Sequence, residues 1–363
     1  MEKSLYSEYT DKFFPALVTS VVEKLNEQRR TSLPYLYRDL LETVFSADGR
    51  WSSILAEYTR VAADVIALDS ELPVKSRDVI ETAQGEIPKI GLKLYLTEKQ
   101  MKDIDSMIAQ NMPMEQIVRS MFADLQRVIE AVYERIEDIF LSELSSGVGV
   151  SERNNGTGVR IDMNFLKENQ FGVNKKWAES LTESTPLDDI QKVFDKAMED
   201  NNNITDIYAD DNWLRGFYMS QQVRGQYAFN MGVATPNGSN YPILDFDKAN
   251  QVLQTKYGVT LHRVARKIKT EINGKKQNHN PWKKGSATFV CDPIVGNLIW
   301  TTCAELTRPV AGVTYQSADE YILASRYSTN DPLREFTSSQ AMVVPVLNNV
   351  DRIYTLDSTE TQE

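Results

Sequence analysis

Two histidines and two cysteines in 363 residues leave this chain little scope for chemistry. Neither His262 nor His279 lies near a cysteine or a carboxylate at metal-ligand spacing. The sequence has no G-x-S-x-G elbow, no P-loop and no dinucleotide fingerprint. Carboxylates could still do general acid/base work, but no pairing along the sequence singles out two of them. His262 sits in an alternating segment and reads as structural. Cys291 and Cys303 flank CDPIVGNLIWTTC. A cross-strand disulfide there is geometrically open, whereas reduced core thiols agree with the habitual burial of cysteine. Asp206, Asp210 and Asp211 could gather a cation, but they lack the regular acidic loop of a calcium site, and a helix cap accounts for them more simply. The expectation is no catalytic, cofactor-binding or metal residues.

One charge feature stands out. Arg263, Arg266, Lys267, Lys269, Lys275, Lys276, Lys283 and Lys284 are opposed within that span by Glu271 alone. Eight cations against one carboxylate give +7 in a chain of net charge −11, which leaves −18 on the remainder. Such a segment can bind phosphate or the acidic face of an identical neighbour. Trp282 is the one interleaved aromatic, so subunit contact is the better reading, with a solvated face as the alternative. The overall acidity argues against general affinity for nucleic acid or membranes.

The elements that would position these residues follow from periodicity. The length allows two domains or one large elongated unit, and 41% hydrophobic residues suffice for a sizeable core. No apolar run reaches membrane-spanning length, and MEKSLYSEYTDKFF lacks the form of a signal peptide. Residues 1–60 read as helical, with Phe13, Leu17, Val21 and Leu25 on one face and a second short helix after Pro34. Residues 67–96 read as a two-stranded excursion broken at Pro73 and Pro88. Its Lys75, Arg77, Lys89 and Lys93 balance Glu71, Asp78, Glu81 and Glu86. A hairpin so poor in apolar residues cannot make its own core, so it is expected to lie on something else, such as another subunit. Thr97 to Gln100 is a capping box. From Asn111 to Gly147 a stripe through Met114, Val118, Met121, Leu125, Val128, Val132, Ile136, Phe140 and Leu144 predicts one helix, a spine of about 50 Å. Beyond it come a hairpin around Asn154-Asn155-Gly156 and helices over 187–201, from Asp210 or Asp211, and over 248–257. Strands are expected over 204–208, 259–264, 287–291, 298–302 and 321–325. Residues 341–357 form a closing strand segment, and the polar STETQE tail is expected to fray.

This order of parts resembles the tailed-phage major capsid proteins of the Hong Kong 97-type fold, and within them the lambda-type major capsid protein E family. The stretches that carry the resemblance are ALDSELPVKSRDVIETAQGEIPKIGLKLYLTE (67–98), MEQIVRSMFADLQRVIEAVYERIEDIFLSEL (114–144) and FTSSQAMVVPVLNNVDRIYTLD (336–357). The resemblance implies an α+β shell subunit with an N-terminal arm (1–66) and an extended loop over the adjacent subunit (67–97). It further implies a peripheral domain (98–165 and 305–363) built on the spine 111–147, and an axial domain (166–304). The implied partners are copies of the chain itself in hexamers and pentamers, scaffold and portal proteins, a decoration protein, and weakly held double-stranded DNA. The implied location is the virion capsid, reached from the host cytoplasm. An encapsulin-like compartment shares this fold and is the alternative, with an α+β enzyme behind it.

Overall fold

The computed structural model describes residues 1–28, 35–54, 82–154, 157–232, 241–272 and 275–362. The chain opens with α1 (Ser7–Gln28), whose buried stripe is Phe14, Val18 and Val22, one position on from the expected Phe13, Leu17 and Val21. The short α2 (Leu36–Leu40) turns at once into β1 (Leu41–Phe45). Next come β2 (Arg50–Ile54), β3 (Thr82–Glu86) and β4 (Lys89–Leu96), with β2 and β3 paired in a two-stranded sheet. Helix was expected as far as residue 60. Val44, Phe45 and Trp51 instead follow their β propensity, because sheet partners are available to them. Residues Glu71, Lys75, Arg77, Asp78 and Glu81 of the expected loop lie outside the described residues.

Thr97 caps α3 (Glu98–Ala109) as a capping box: its hydroxyl accepts from the Gln100 amide, and the Gln100 side chain accepts from the Thr97 amide at 2.9 Å. The expected single spine is two helices, α4 (Met114–Met121) and α5 (Leu125–Ser146). At 22 residues α5 spans roughly 33 Å. The break has a distant cause. The Met121 carbonyl, which would accept the Leu125 amide in a continuous helix, accepts the Arg326 guanidinium at 3.0 Å. The Leu125 amide goes to the Phe122 carbonyl instead, at 3.1 Å. At the far end Gly147 adopts φ +75, the left-handed residue that ends the helix.

The remaining elements in order are β5 (Val148–Asn154), β6 (Thr157–Asp162), β7 (Gln170–Val173), α6 (Pro186–Glu199), β8 (Asp206–Asp210), α7 (Asp211–Met219), α8 (Gln221–Asn230), α9 (Phe246–Tyr257), β9 (Thr260–Val264), β10 (Ile268–Ile272), β11 (Lys275–His279), β12 (Ser286–Val290), β13 (Gly296–Thr301), α10 (Ala304–Thr307), β14 (Thr314–Ala318), β15 (Ile322–Asn330), β16 (Leu333–Leu347) and β17 (Ile353–Thr361). They divide into two units: Met1–Trp51, Gly85–Phe140 and Asn297–Pro345 form one, and Ser52–Gln84, Leu141–Gly296 and Val346–Glu363 the other. This division differs from the expected boundaries in giving residues 346–363 to the body that holds 141–296.

The first unit is built on a six-stranded sheet of order β1-β13-β16-β15-β14, with β4 also paired to β16. Within it Arg326 on β15 and Glu335 on β16 form an ion pair with no exposure, Nε to Oε1 2.9 Å. Glu335 also accepts the Ser4 hydroxyl and, at 3.1 Å, the Leu5 amide. The guanidinium lies 4.3 Å from the centre of the Phe122 ring, which stacks on Phe14 of α1.

The second unit is built on a mixed sheet of order β7-β17-β12-β8-β9. The central β12 is buried along its whole length. It runs antiparallel to β17 and β8, whereas β17 with β7 and β8 with β9 are parallel. Trp177, Trp213 and Phe217 pack together in its core, with Trp177 and Trp213 ring centres 4.9 Å apart. The tail expected to fray is paired as far as Gln362. Thr361 pairs with Val173, and the Gln362 amide donates to the Val173 carbonyl at 3.1 Å, because β7 offers it an edge.

One buried acid in this unit has no compensation. Glu143 in the last turns of α5 is fully enclosed against Gly149, and neither carboxyl oxygen has a hydrogen-bond partner. Burial raises its pKa well above the ordinary carboxylate value, so the folded chain holds the proton. The unfolded chain releases that proton above about pH 4.5. The folding equilibrium therefore loses up to about tenfold per pH unit as pH rises from there to the folded pKa. Urea titrations at pH 5 and pH 8 check this, and Glu143→Gln is expected to flatten the dependence. Glu335→Gln, which strands the Arg326 charge, is expected to cost about 3–5 kcal/mol in the same titration, and Glu335→Leu with Arg326→Leu much less.

Candidate assembly surfaces

The residues singled out for chemistry are engaged in structure. His262 on β9 meets Asp206 on the parallel neighbour β8, Nε2 to Oδ1 2.7 Å, and stacks on Tyr208. Asp210 caps α7 by accepting the Trp213 amide at 3.0 Å, and it also accepts the Gly285 amide at 3.1 Å. Asp211 pairs with Arg263 at 2.5 Å. The three aspartates are thus divided among three tasks, and among the described residues no group of three His, Cys, Asp or Glu is placed to hold a metal ion. Cys291 and Cys303 are buried free thiols. Burial pushes the Cys291 thiol up to about 12, far from a reactive thiolate.

The basic segment separates into pinned and outward parts. Arg263 is held by Asp211, and Lys283 by Asp357 at 2.9 Å and Glu360 at 3.6 Å. Arg266 is half-buried, and Lys267 and Lys284 are exposed. Lys269, Lys275 and Lys276 are exposed on the β10–β11 hairpin, whose register sets Glu271 opposite Lys276, Lys269 opposite Asn278 and Lys275 opposite Ile272. Opposed residues share a face, so Lys269, Glu271 and Lys276 line the outer side while Ile268 and Thr270 turn inward. This hairpin continues from β9, one edge of the five-stranded sheet. At the other edge α6 packs on β7 and β17. Asp188, Asp195 and Glu199, at spacings of seven and four, are exposed on one helical face there with Lys192 among them, three carboxylates to one cation. Opposite edges of one sheet therefore carry opposite charge. The sequence reading found the basic half and missed the acidic one, because carboxylates and lysines alternate along α6 and its face emerges only at helical period.

In the first unit, Glu86 at the root of the expected loop is exposed. Lys89 pairs with Glu305 at 2.5 Å. Burial draws the Glu305 carboxyl up, but hydrogen bonds from Lys89, the Glu305 backbone and Gln340, with the Lys89 charge, together hold the group below the ordinary range. Lys93 lies 5.4 Å from the centre of the Phe336 ring. Strand β4 runs beside β16 with Lys93 opposite Ser338, and the two floor an open cleft of about 400 Å³ walled by Tyr315 and Tyr327.

The family model of the phage major capsid protein E matches residues 56–357. The chain belongs to this family. Among solved structures, the capsid protein of a prophage of E. coli CFT073 is 13% identical and superposes with a TM-score of 0.55, over 93% of this chain and 98% of its own. That similarity gives the fold, the α+β architecture of Hong Kong 97-type capsid proteins. A chain of the satellite phage P4 procapsid is 10% identical, with a TM-score of 0.42 over 93% and 98% of the two chains. An encapsulin from Synechococcus elongatus PCC 7942 is 10% identical, with a TM-score of 0.39 over 92% and 90%. A search of curated proteins finds no match. As a major capsid protein the chain is a structural component of a phage capsid. No helix among the described residues is long and apolar enough to cross a membrane.

The Lys89–Glu305 pair is half-exposed, so Lys89→Ala is expected to shift the stability of the isolated subunit by less than about 1 kcal/mol, measured by urea titration.

Proposed function

We propose that many copies of this chain assemble as hexamers and pentamers into the icosahedral shell of a tailed double-stranded DNA phage. Membership in the capsid protein E family carries this reading. The charge arrangement supports it. A sheet with a basic hairpin at one edge and an acidic helix at the other suits head-to-tail contact, and head-to-tail contacts close into rings. The basic segment is then a subunit contact. Residues 67–97 act as the extended loop over the adjacent subunit, and 166–304 face the ring centre. Scaffold, portal and decoration proteins complete the shell, which assembles in the host cytoplasm. A net charge of −11 keeps packaged DNA weakly held, since tight phosphate contacts would hinder its entry and release.

Negative-stain electron microscopy of the chain expressed with and without its neighbouring phage genes tests the reading. Shells, rings or tubes are expected, whereas a uniform monomer under both conditions would overturn it, and a co-purifying cargo enzyme would mark an encapsulin instead. Reversing Lys269, Lys275 and Lys276 to Glu is expected to lower shell yield at least tenfold. Adding Asp188→Lys, Asp195→Lys and Glu199→Lys is expected to restore it.

A further inference from the structure

Helix α8, with the sequence QQVRGQYAFN, has one charged residue, Arg224. Its guanidinium is occupied by the backbone carbonyls of Tyr241 and, at 3.0 Å, Pro242. Gln226 donates to Asn230 along the helix at 3.0 Å. What remains facing outward is amide and apolar. Phe229 at the end of α8 is 80% exposed, and Ile243, one residue beyond the carbonyls that Arg224 holds, is 85% exposed. They are the two most exposed large apolar side chains among the described residues, and Met219 and Met231, just before and just after α8, are exposed as well.

In a chain that is one-quarter charged, with a net charge of −11, this surface is unusual. Exposed apolar patches of this kind mark interaction sites, and interface centres are depleted of charge and enriched in aromatic residues and methionine. The neighbouring charges identify the occupant. α8 rests on α6, with the Leu187 amide donating to Gln222 Oε1 at 2.8 Å, and α6 carries the acidic face that complements the basic β10–β11 hairpin. An acidic copy meets another with least repulsion where both are neutral, beside edges of opposite sign. We infer that the α8 surface carrying Phe229 and Ile243 docks against a second copy of this chain. It forms the uncharged centre of the contact whose flanks are α6 and the basic hairpin. This inference rests on the shell reading above and adds to it the residues that meet.

The test uses the full chain expressed with its neighbouring phage genes. Phe229→Asp with Ile243→Asp is expected to leave the denaturation midpoint and circular dichroism of the subunit unchanged while shell yield falls at least tenfold. In a Phe229→Cys, Lys276→Cys variant, a bismaleimide with a reach of about 10 Å is expected to give a ladder of covalent multimers on a denaturing gel. Shells at wild-type yield from the aspartate variant would overturn the inference with the shell reading intact, and so would assembled cysteine variant that gives no ladder. If the aspartate variant does not fold, the ladder alone decides. If the wild type forms no shells under any condition, the shell reading falls. Docking is then decided by the ladder from concentrated subunit, whose presence supports it and whose absence overturns it.

Discussion

A single desolvated ion pair organises the first unit. Arg326 and Glu335 have no contact with water, so each must satisfy the other and find further partners nearby. Arg326 reaches the Met121 carbonyl and the Thr337 hydroxyl, and Glu335 takes the Ser4 hydroxyl and the Leu5 amide. The segment leading into α1, the end of α4 and two strands are thereby bound to one charge pair. The cost of leaving any of these polar groups unpaired is what fixes their positions, more than the attraction between the charges.

The second unit works by a different arrangement. Its core is apolar and aromatic, and its central strand is buried on both faces. The sheet's two edges are left to carry charge of opposite sign, with a neutral helix packed beside the acidic one. Under the proposed head-to-tail contact, this arrangement would give the subunit a direction.

Features whose cause is local were legible in the sequence. The Thr97–Gln100 capping box, the Asp210 cap and the left-handed Gly147 each depend on residues within a few positions. Helices α6, α7 and α9 and strands β8, β9, β12 and β13 were equally readable from periodicity, whereas the separate α8, the β10–β11 hairpin and β14 were not. The broken spine was not, because the apolar stripe runs straight through Phe122 and the group that interrupts it lies 205 residues away. The ordered tail escaped for the same reason: STETQE is polar, and its strand exists because β7 lies alongside. The strands after Leu40 were misread as helix, since an apolar spacing such as Leu40, Leu41 and Val44 serves either period over so short a span. Of the candidate surfaces, the basic cluster was visible as a run. The acidic face and the neutral helix were not, since both are defined by which way side chains point.

The contrast between the enclosed Arg326–Glu335 pair and the solvated lysines of the β10–β11 hairpin has a practical consequence. Counterions screen charges in water over about 8 Å at physiological ionic strength, and they hardly reach a pair sealed in a core. If the hairpin lysines make the proposed contact, added electrolyte would loosen one copy from another while leaving each copy folded. Ionic strength becomes a reversible control on association that is independent of the integrity of the building block.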